Sequence, residues 1–261
     1  MIWVYDRYKC EGVDMSVVLV HGNPETDAIW DPLRTELARD DVIALSPPGF
    51  GAPLPENFDV TSDGYLHWLA LELEKLDGPI DLVGHDWGGG HVVRLAMTRP
   101  DLIRSWCTDI IGIFNHEYVW HDAAQSWEGP DGEAAVKAMI DLPESDRIAI
   151  FAPLGMGESV ASKVAPWIND DMGKAILGLY RSASQPVVGN LGEALQTAAE
   201  RPGLCILASE DTYTGGETLH RQAADRSGAE VVVLEGLGHW WMCEDPTRAA
   251  EQLSLWFDKQ D

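Results

Sequence analysis

The sequence predicts an α/β fold: a mostly parallel sheet flanked by helices, with an inserted helical lid. Three observations carry that expectation. Short apolar runs alternate with helical patterns in both end portions of the chain. A Gly-x-Asp-x-Gly turn joins one of those runs to a helix. Between about 112 and 190 the alternation stops, and helical patterns rich in aromatics follow one another with no clear strand.

Taken in order, the predicted strands are Val17–Val20, Val42–Leu45, Ile80–Val83, Ser105–Ile110, Leu204–Ala208 and Val231–Leu234. Each is a short, largely apolar run, and helical patterns separate them. The intervening segments repeat apolar residues at helical spacing, as in Tyr65-Leu66, Leu69-Ala70 and Leu73 before Leu76. Residues 1–111 and 191–261 therefore read as one core interrupted by a helical lid at 112–190. The lid portion carries Phe114, Tyr118, Trp120, Trp127, Phe151, Trp167 and Tyr180. These aromatics also have the plainer reading of packing residues, and the whole insertion could simply add helices to the core.

The 261 residues exceed one small core and fall short of two full domains. With 45% hydrophobic and 23% charged residues the chain is of ordinary globular composition. Its net charge is not ordinary: 18 Lys and Arg against 43 Asp and Glu leave −25. Such a surface repels phosphate backbones and anionic headgroups, so nucleic acid and membrane are not expected partners. No apolar run approaches a membrane span, and the first residues have neither the basic nor the long apolar region of a signal peptide. A cytoplasmic location is the corresponding expectation. Four cysteines (Cys10, Cys107, Cys205, Cys243) form no paired spacing, which argues against a zinc site, and Cys107 and Cys205 sit inside apolar runs.

The turn Gly84-His85-Asp86-Trp87-Gly88 follows the run Ile80–Val83 and precedes a helical pattern. A strand, a G-x-nucleophile-x-G turn and a helix make a nucleophile elbow. Gly84 and Gly88 leave room for a tight turn that pushes the central side chain out at the carboxyl edge of the sheet. That central residue is Asp86. A carboxylate is a poor attacker of amides but displaces a leaving group from saturated carbon, forming an ester with the enzyme. The plain alternative is an Asp that merely caps a helix beside accidental glycines.

These residues resemble the α/β-hydrolase superfamily, in the branch of epoxide hydrolases and haloalkane dehalogenases. VGHDWGG (Val83–Gly89) is similar to that branch's nucleophile motif, His21-Gly22-Asn23-Pro24 to its oxyanion-side loop, and SPPGFG (Ser46–Gly51) to the loop after the next strand. The resemblance covers nearly the whole chain. One departure is that fewer than 20 residues precede Val17–Val20, so the family's early strands must be shortened or partly absent.

Release of an alkyl ester requires an activated water, and His is the usual base at neutral pH. Of eight histidines, His239 stands between VVVLEGLG and WWMCEDP, where the resemblance puts the base. His21 and His85 read as support for their loops. His116 and His121 fall in the lid, facing either way, and His67, His91 and His220 read as surface or packing residues. The orienting carboxylate is expected after a strand and before His239, which suits Asp211 in SEDTYTG, with Glu210 beside it as competitor. Asp109, after the earlier run SWCTDII, is the rival, because some haloalkane dehalogenases carry their acid there.

The leaving group divides two chemistries. The resemblance implies that Asn23 and Trp87 hold a departing halide, or that a lid tyrosine, Tyr180 of the Tyr180-Arg181 pair, protonates an opening epoxide. Asn23 favours the first. Tyr180 favours the second, although fluoroacetate dehalogenases also carry such a pair. Tyr118 and Trp127 are further pocket candidates, and Tyr118 lies earlier than the family's first lid tyrosine. The expectation is an epoxide hydrolase acting on a small apolar electrophile with water, through Asp86, Asp211, His239 and Tyr180, with no cofactor or metal. Haloalkane dehalogenase is the alternative, and a binding protein without turnover on the same fold is a weaker one. Substrate identity, stereochemistry and oligomeric state are left open by the sequence.

Overall fold

The computed structural model describes residues 15–260; the N-terminal segment, with Cys10, lies outside the described residues. Among those residues the sheet has six strands: β1 (Ser16–Val20), β2 (Val42–Leu45), β3 (Ile80–Gly84), β4 (Ser105–Thr108), β5 (Gly203–Ala208) and β6 (Glu230–Leu234). Their order across the sheet is β2-β1-β3-β4-β5-β6, and every neighbouring pair is parallel. The chain leaves β1 toward one edge, then crosses back to β3 on its other side. That reversal makes a crevice between the carboxyl ends of β1 and β3, the position at which open α/β sheets bind ligands. Because Val20 pairs with Gly84, the loops carrying Asn23 and Asp86 emerge side by side.

The helices are α1 (Asp31–Leu37), α2 (Ser62–Leu73), α3 (Trp87–Thr98), α4 (Asp122–Glu128), α5 (Gly132–Asp141), α6 (Glu144–Phe151), α7 (Glu158–Val164), α8 (Asp170–Ser182), α9 (Val187–Leu191), α10 (Gly216–Ser227), α11 (Trp241–Glu244) and α12 (Pro246–Asp258). Caps set several of their starts. The Thr61 hydroxyl accepts from the Gly64 N–H before α2, and the Asn169 side chain accepts from the Met172 N–H before α8. Between β4 and β5 the described chain is helical throughout, from α4 to α9 with short 3-10 turns.

Successive strand residues point to opposite faces of the sheet. On β1, Val18 and Val20 join one apolar cluster with Tyr65, Leu69 and Leu82. Val17 and Leu19 join the other, with Trp30, Val83, Trp241 and Phe257. All of β3, β4 and β5 is buried. Burying each such Val, Leu or Ile side chain contributes about 1.5–3 kcal/mol. Cys107 and Cys205 are buried in these strands as free thiols. Among the described residues, no helix is long and apolar enough to cross a membrane.

The expected strand Ser105–Ile110 ends two residues early, at Thr108. There the Thr108 hydroxyl accepts from the Ile110 N–H and a 3-10 turn begins at Ile111. The local side-chain bond diverts the backbone and frees Asp109 from the ladder.

Candidate active site

Asp86 sits at the apex of the turn between β3 and α3 with φ 50° and ψ −131°, a strained conformation for a residue with a side chain. A Cβ added at Gly84 would stand 2.5 Å from the Gly88 carbonyl oxygen, and one at Gly88 would collide with the Val20 carbonyl. Glycine at both positions is therefore a requirement of packing the elbow against β1. Gly22 is equally constrained, because its Cβ would lie 2.5 Å from that of Asp86.

The two carboxylate oxygens of Asp86 are not equivalent. Oδ1 accepts from the backbone N–H of Asn23 at 2.9 Å, and the Trp87 backbone N–H also bonds the carboxylate. Oδ2 lies 3.8 Å from His239 Nε2, beyond hydrogen-bond reach. On its other side the His239 ring bonds Asp211, with Nδ1 2.8 Å from Oδ2. Asp211 itself is fixed by the Tyr213 N–H, which donates to its Oδ1 at 2.7 Å. Asp86, Asp211 and His239 thus converge from the carboxyl ends of β3, β5 and β6.

Asp109 is brought to the same region but faces elsewhere. Its Oδ2 lies 2.5 Å from His85 Nδ1 and accepts from the Trp241 indole, and its Oδ1 accepts from the Asp86 N–H. Asp211, not Asp109, is the carboxylate bonded to His239. Glu210 is exposed.

Burial raises Asp86 to about 6, with the His239 charge acting against the shift and the Glu25 charge with it. For His239, burial disfavours the cation, but the charge and hydrogen bond of Asp211 outweigh it and hold the ring above its usual pKa. Asp86 adds to that rise.

Tyr180 projects from α8 into the site, whereas Arg181 turns outward to Glu133. The Tyr180 hydroxyl accepts from Asn23 Nδ2 at 2.9 Å and is hydrogen-bonded by the Trp87 side chain as well. Burial and the Asp86 charge keep it well above the ordinary phenol range, so it is neutral. Trp127 packs edge-on against it, with ring centres 5.0 Å apart. Tyr118 is different: its hydroxyl donates to the Tyr213 carbonyl at 2.6 Å, and it borders a small space beside Asp86 as well as an open depression farther out.

A cavity of about 310 Å³ opens over Asp86, lined by Asn23, Trp127, Tyr180, His239 and apolar residues including Met139, Leu142, Phe151 and Leu154. His121 and Tyr213 also line it. The sequence left His121 undecided and did not single out Tyr213; its only signal was adjacency to Asp211. A larger, open depression of about 580 Å³ lies by His116, Tyr118 and Gln185, away from Asp86.

Glu25, His85 and His239 offer ligand atoms within 4.8 Å of one another. Glu25 Oε1 and His85 Nε2 already face each other at 3.0 Å, and the Trp240 indole donates to the same oxygen. The donor set is therefore occupied internally and does not fit a metal.

A model of the alpha/beta hydrolase family matches residues 17–252 of the chain. Among curated relatives, the chain is 22% identical to an (E)-2-((N-methylformamido)methylene)succinate hydrolase of Acinetobacter baylyi, over 97% of this chain and 94% of that one. It is 26% identical to a pimeloyl-[acyl-carrier protein] methyl ester esterase of Neisseria meningitidis, over 85% and 86%. Among solved structures it resembles the Cif epoxide hydrolase from Acinetobacter nosocomialis, with a TM-score of 0.73 at 21% identity over 93% and 82% of the two chains. It resembles the haloalkane dehalogenase DbeA from Bradyrhizobium elkani with a TM-score of 0.67 at 20% identity, over 95% and 91%.

Proposed function

Because the chain belongs to the alpha/beta hydrolase family, we propose that it is an epoxide hydrolase, opening small apolar epoxides to diols through an ester on Asp86. The observation that carries this is the meeting of Asn23 Nδ2 and the Trp87 side chain at the hydroxyl of Tyr180. Those are the two groups that a halide-releasing site would aim at its anion. Here a phenol oxygen stands at their focus, and its proton is left free to be donated. The leaving group suited to this arrangement is an oxygen that needs protonation.

The geometry supports the following reaction. The epoxide enters the apolar cavity, with residues 112–190 acting as a lid that excludes water. Asp86 Oδ2 attacks a ring carbon, the carbon–oxygen bond breaks, and the alkoxide takes the Tyr180 proton. Asn23 and Trp87 stabilise the phenolate that remains. Ester formation removes the Asp86 charge, which had been holding both Tyr180 and His239 up. Tyr180 therefore becomes more acidic as its proton is required, and the pull toward a protonated His239 weakens before the second step.

His239, oriented by Asp211, then takes a proton from water that attacks the ester carbon. The developing oxyanion is Oδ1, already bonded by the Asn23 N–H, with the Trp87 N–H also on the carboxylate. Collapse releases the diol, protonated by His239, and the regenerated carboxyl group returns its proton to Tyr180. No step calls on a metal or cofactor.

Haloalkane dehalogenation would share every step but the leaving group. Acyl hydrolysis, suggested by the names of the succinate hydrolase and the methyl ester esterase, would make Asp86 form an anhydride, a less stable intermediate than an alkyl ester. Tyr180→Phe tests the assignment. It is expected to slow alkylation by epoxides by about 10²–10⁴-fold and leave displacement from bromoalkanes within a few-fold. Asn23→Ala should slow epoxide opening by only about tenfold, through loss of one bond to Tyr180. Single-turnover quenching of the site tryptophans reads both rates. Unchanged epoxide opening in Tyr180→Phe would remove the assignment.

A further inference from the structure

The proposed reaction makes no use of His85, yet its imidazole is fully buried immediately before the nucleophile. Both ring nitrogens face carboxylates: Nδ1 meets Asp109 Oδ2 at 2.5 Å and Nε2 meets Glu25 Oε1 at 3.0 Å. A neutral ring carries one lone pair and would turn it on one of those oxygens, so both contacts are satisfied together by a protonated ring.

The two carboxylates reach further. Glu25 Oε2 accepts from the Gly22 N–H, next to the Asn23 N–H that grips Asp86, and Glu25 Oε1 accepts from the Trp240 indole. Asp109 Oδ1 accepts from the Asp86 N–H, and Oδ2 accepts from the Trp241 indole. Trp240 and Trp241 directly follow His239 in sequence. The loops after β1, β3, β4 and β6 are therefore all tied to one ring.

We infer that His85 is a positioning residue: a buried imidazolium clasped between Glu25 and Asp109 that locks the oxyanion-side, nucleophile and base loops together and balances charge beneath the Asp86–His239 pair. Its ring centre is 4.5 Å from that of His239. The charged or titratable groups facing it are Glu25 and His21 from the loop after β1, the adjacent Asp86, Asp109 after β4, Asp211 after β5, and His239. A cation here disfavours a second one on His239 and favours the carboxylate of Asp86. Glu25 acts in the opposite sense on both.

Opposite signs make the inference testable apart from folding. In ¹⁵N-histidine-labelled protein, both nitrogens of His85 are expected to stay protonated through the range in which an ordinary histidine loses its proton, while His239 titrates. Glu25→Gln should lower the His239 midpoint by about one unit, and His85→Gln should raise it by about as much. Ordinary titration of His85, or midpoints that stay put while only melting temperatures fall, would overturn the inference. Should His85→Gln fail to fold, Glu25→Gln decides alone, since an unmoved His239 midpoint in that variant overturns it. A kinetic arm, the pH profile of ester hydrolysis, rests on the proposed function and should move with the NMR midpoint. If no epoxide or haloalkane is turned over, the proposed function fails, while the NMR midpoints still decide the role of His85.

Discussion

His239→Gln is expected to stop the enzyme after half a cycle, leaving one alkyl group on Asp86. In the proposed reaction, alkylation by an epoxide needs Asp86 Oδ2 and the proton of Tyr180, and neither depends on His239 as a base. Water activation would depend on it, since Nε2 faces Asp86 Oδ2 at 3.8 Å. Glutamine keeps the approximate volume but cannot accept the proton. Steady-state turnover should fall on the order of 10⁴-fold or more. The adduct should persist long enough to be weighed by intact-mass spectrometry. An increment equal to the whole epoxide marks ring opening, whereas an alkyl group lacking its bromine marks dehalogenation. Absence of any adduct with either substrate class would remove Asp86 as nucleophile and favour a binding protein without turnover.

Asp86→Ala should abolish turnover to a comparable or greater degree, with no adduct, since Asp86 is the one carboxylate among the described residues that line the cavity. A companion substitution separates chemistry from stability. Asp86 is raised from its ordinary 3.8 to about 6 by burial, so ionising it costs more in the folded chain than in the unfolded one. That penalty is absent below about pH 4, grows as pH rises toward 6, and is complete above it. A shift of that size corresponds to about 3 kcal/mol. Asp86→Asn, which keeps an oxygen for the Asn23 N–H, is therefore expected to melt several degrees higher than the parent at pH 7–8 and equally near pH 4. Calorimetry across that range checks it. A lower melting temperature at neutral pH would show that the charged carboxylate supports the fold, contrary to its burial.

Much of this site was legible because its members sit in local patterns. The elbow announces itself through Gly84 and Gly88, which backbone crowding demands within five residues of chain. Strand positions followed from short apolar runs, and β2 matches its expected bounds without change. What could not be read was contact between loops. Whether Asp109 or Asp211 bonds His239 depends on which way each side chain turns at its strand end. His85, one residue from Asp86, intercepts Asp109. Glu25 is a similar case: beside the His21–Pro24 motif it looks like any loop acid. It becomes a buried partner of His85 only because β1 and β3 are neighbours in the sheet. For Tyr118, an aromatic in the helical segment carries no sequence mark saying that its hydroxyl is already bonded to the Tyr213 carbonyl.

The unequal grip on the Asp86 carboxylate also sets, on the proposed reaction, the fate of individual atoms. There Oδ1, held by the Asn23 N–H, stays with the protein, whereas Oδ2 carries the alkyl group away. Under the proposed epoxide opening, each cycle would therefore export one oxygen of the protein into the diol and import one from solvent. In ¹⁸O water, the diol of the first turnover should be unlabelled and the isotope should reside in Asp86. From the second turnover onward the label enters the diol, as the newly acquired oxygen takes the outer position. On that proposal the nucleophile is a renewable part, rebuilt from water each time it acts.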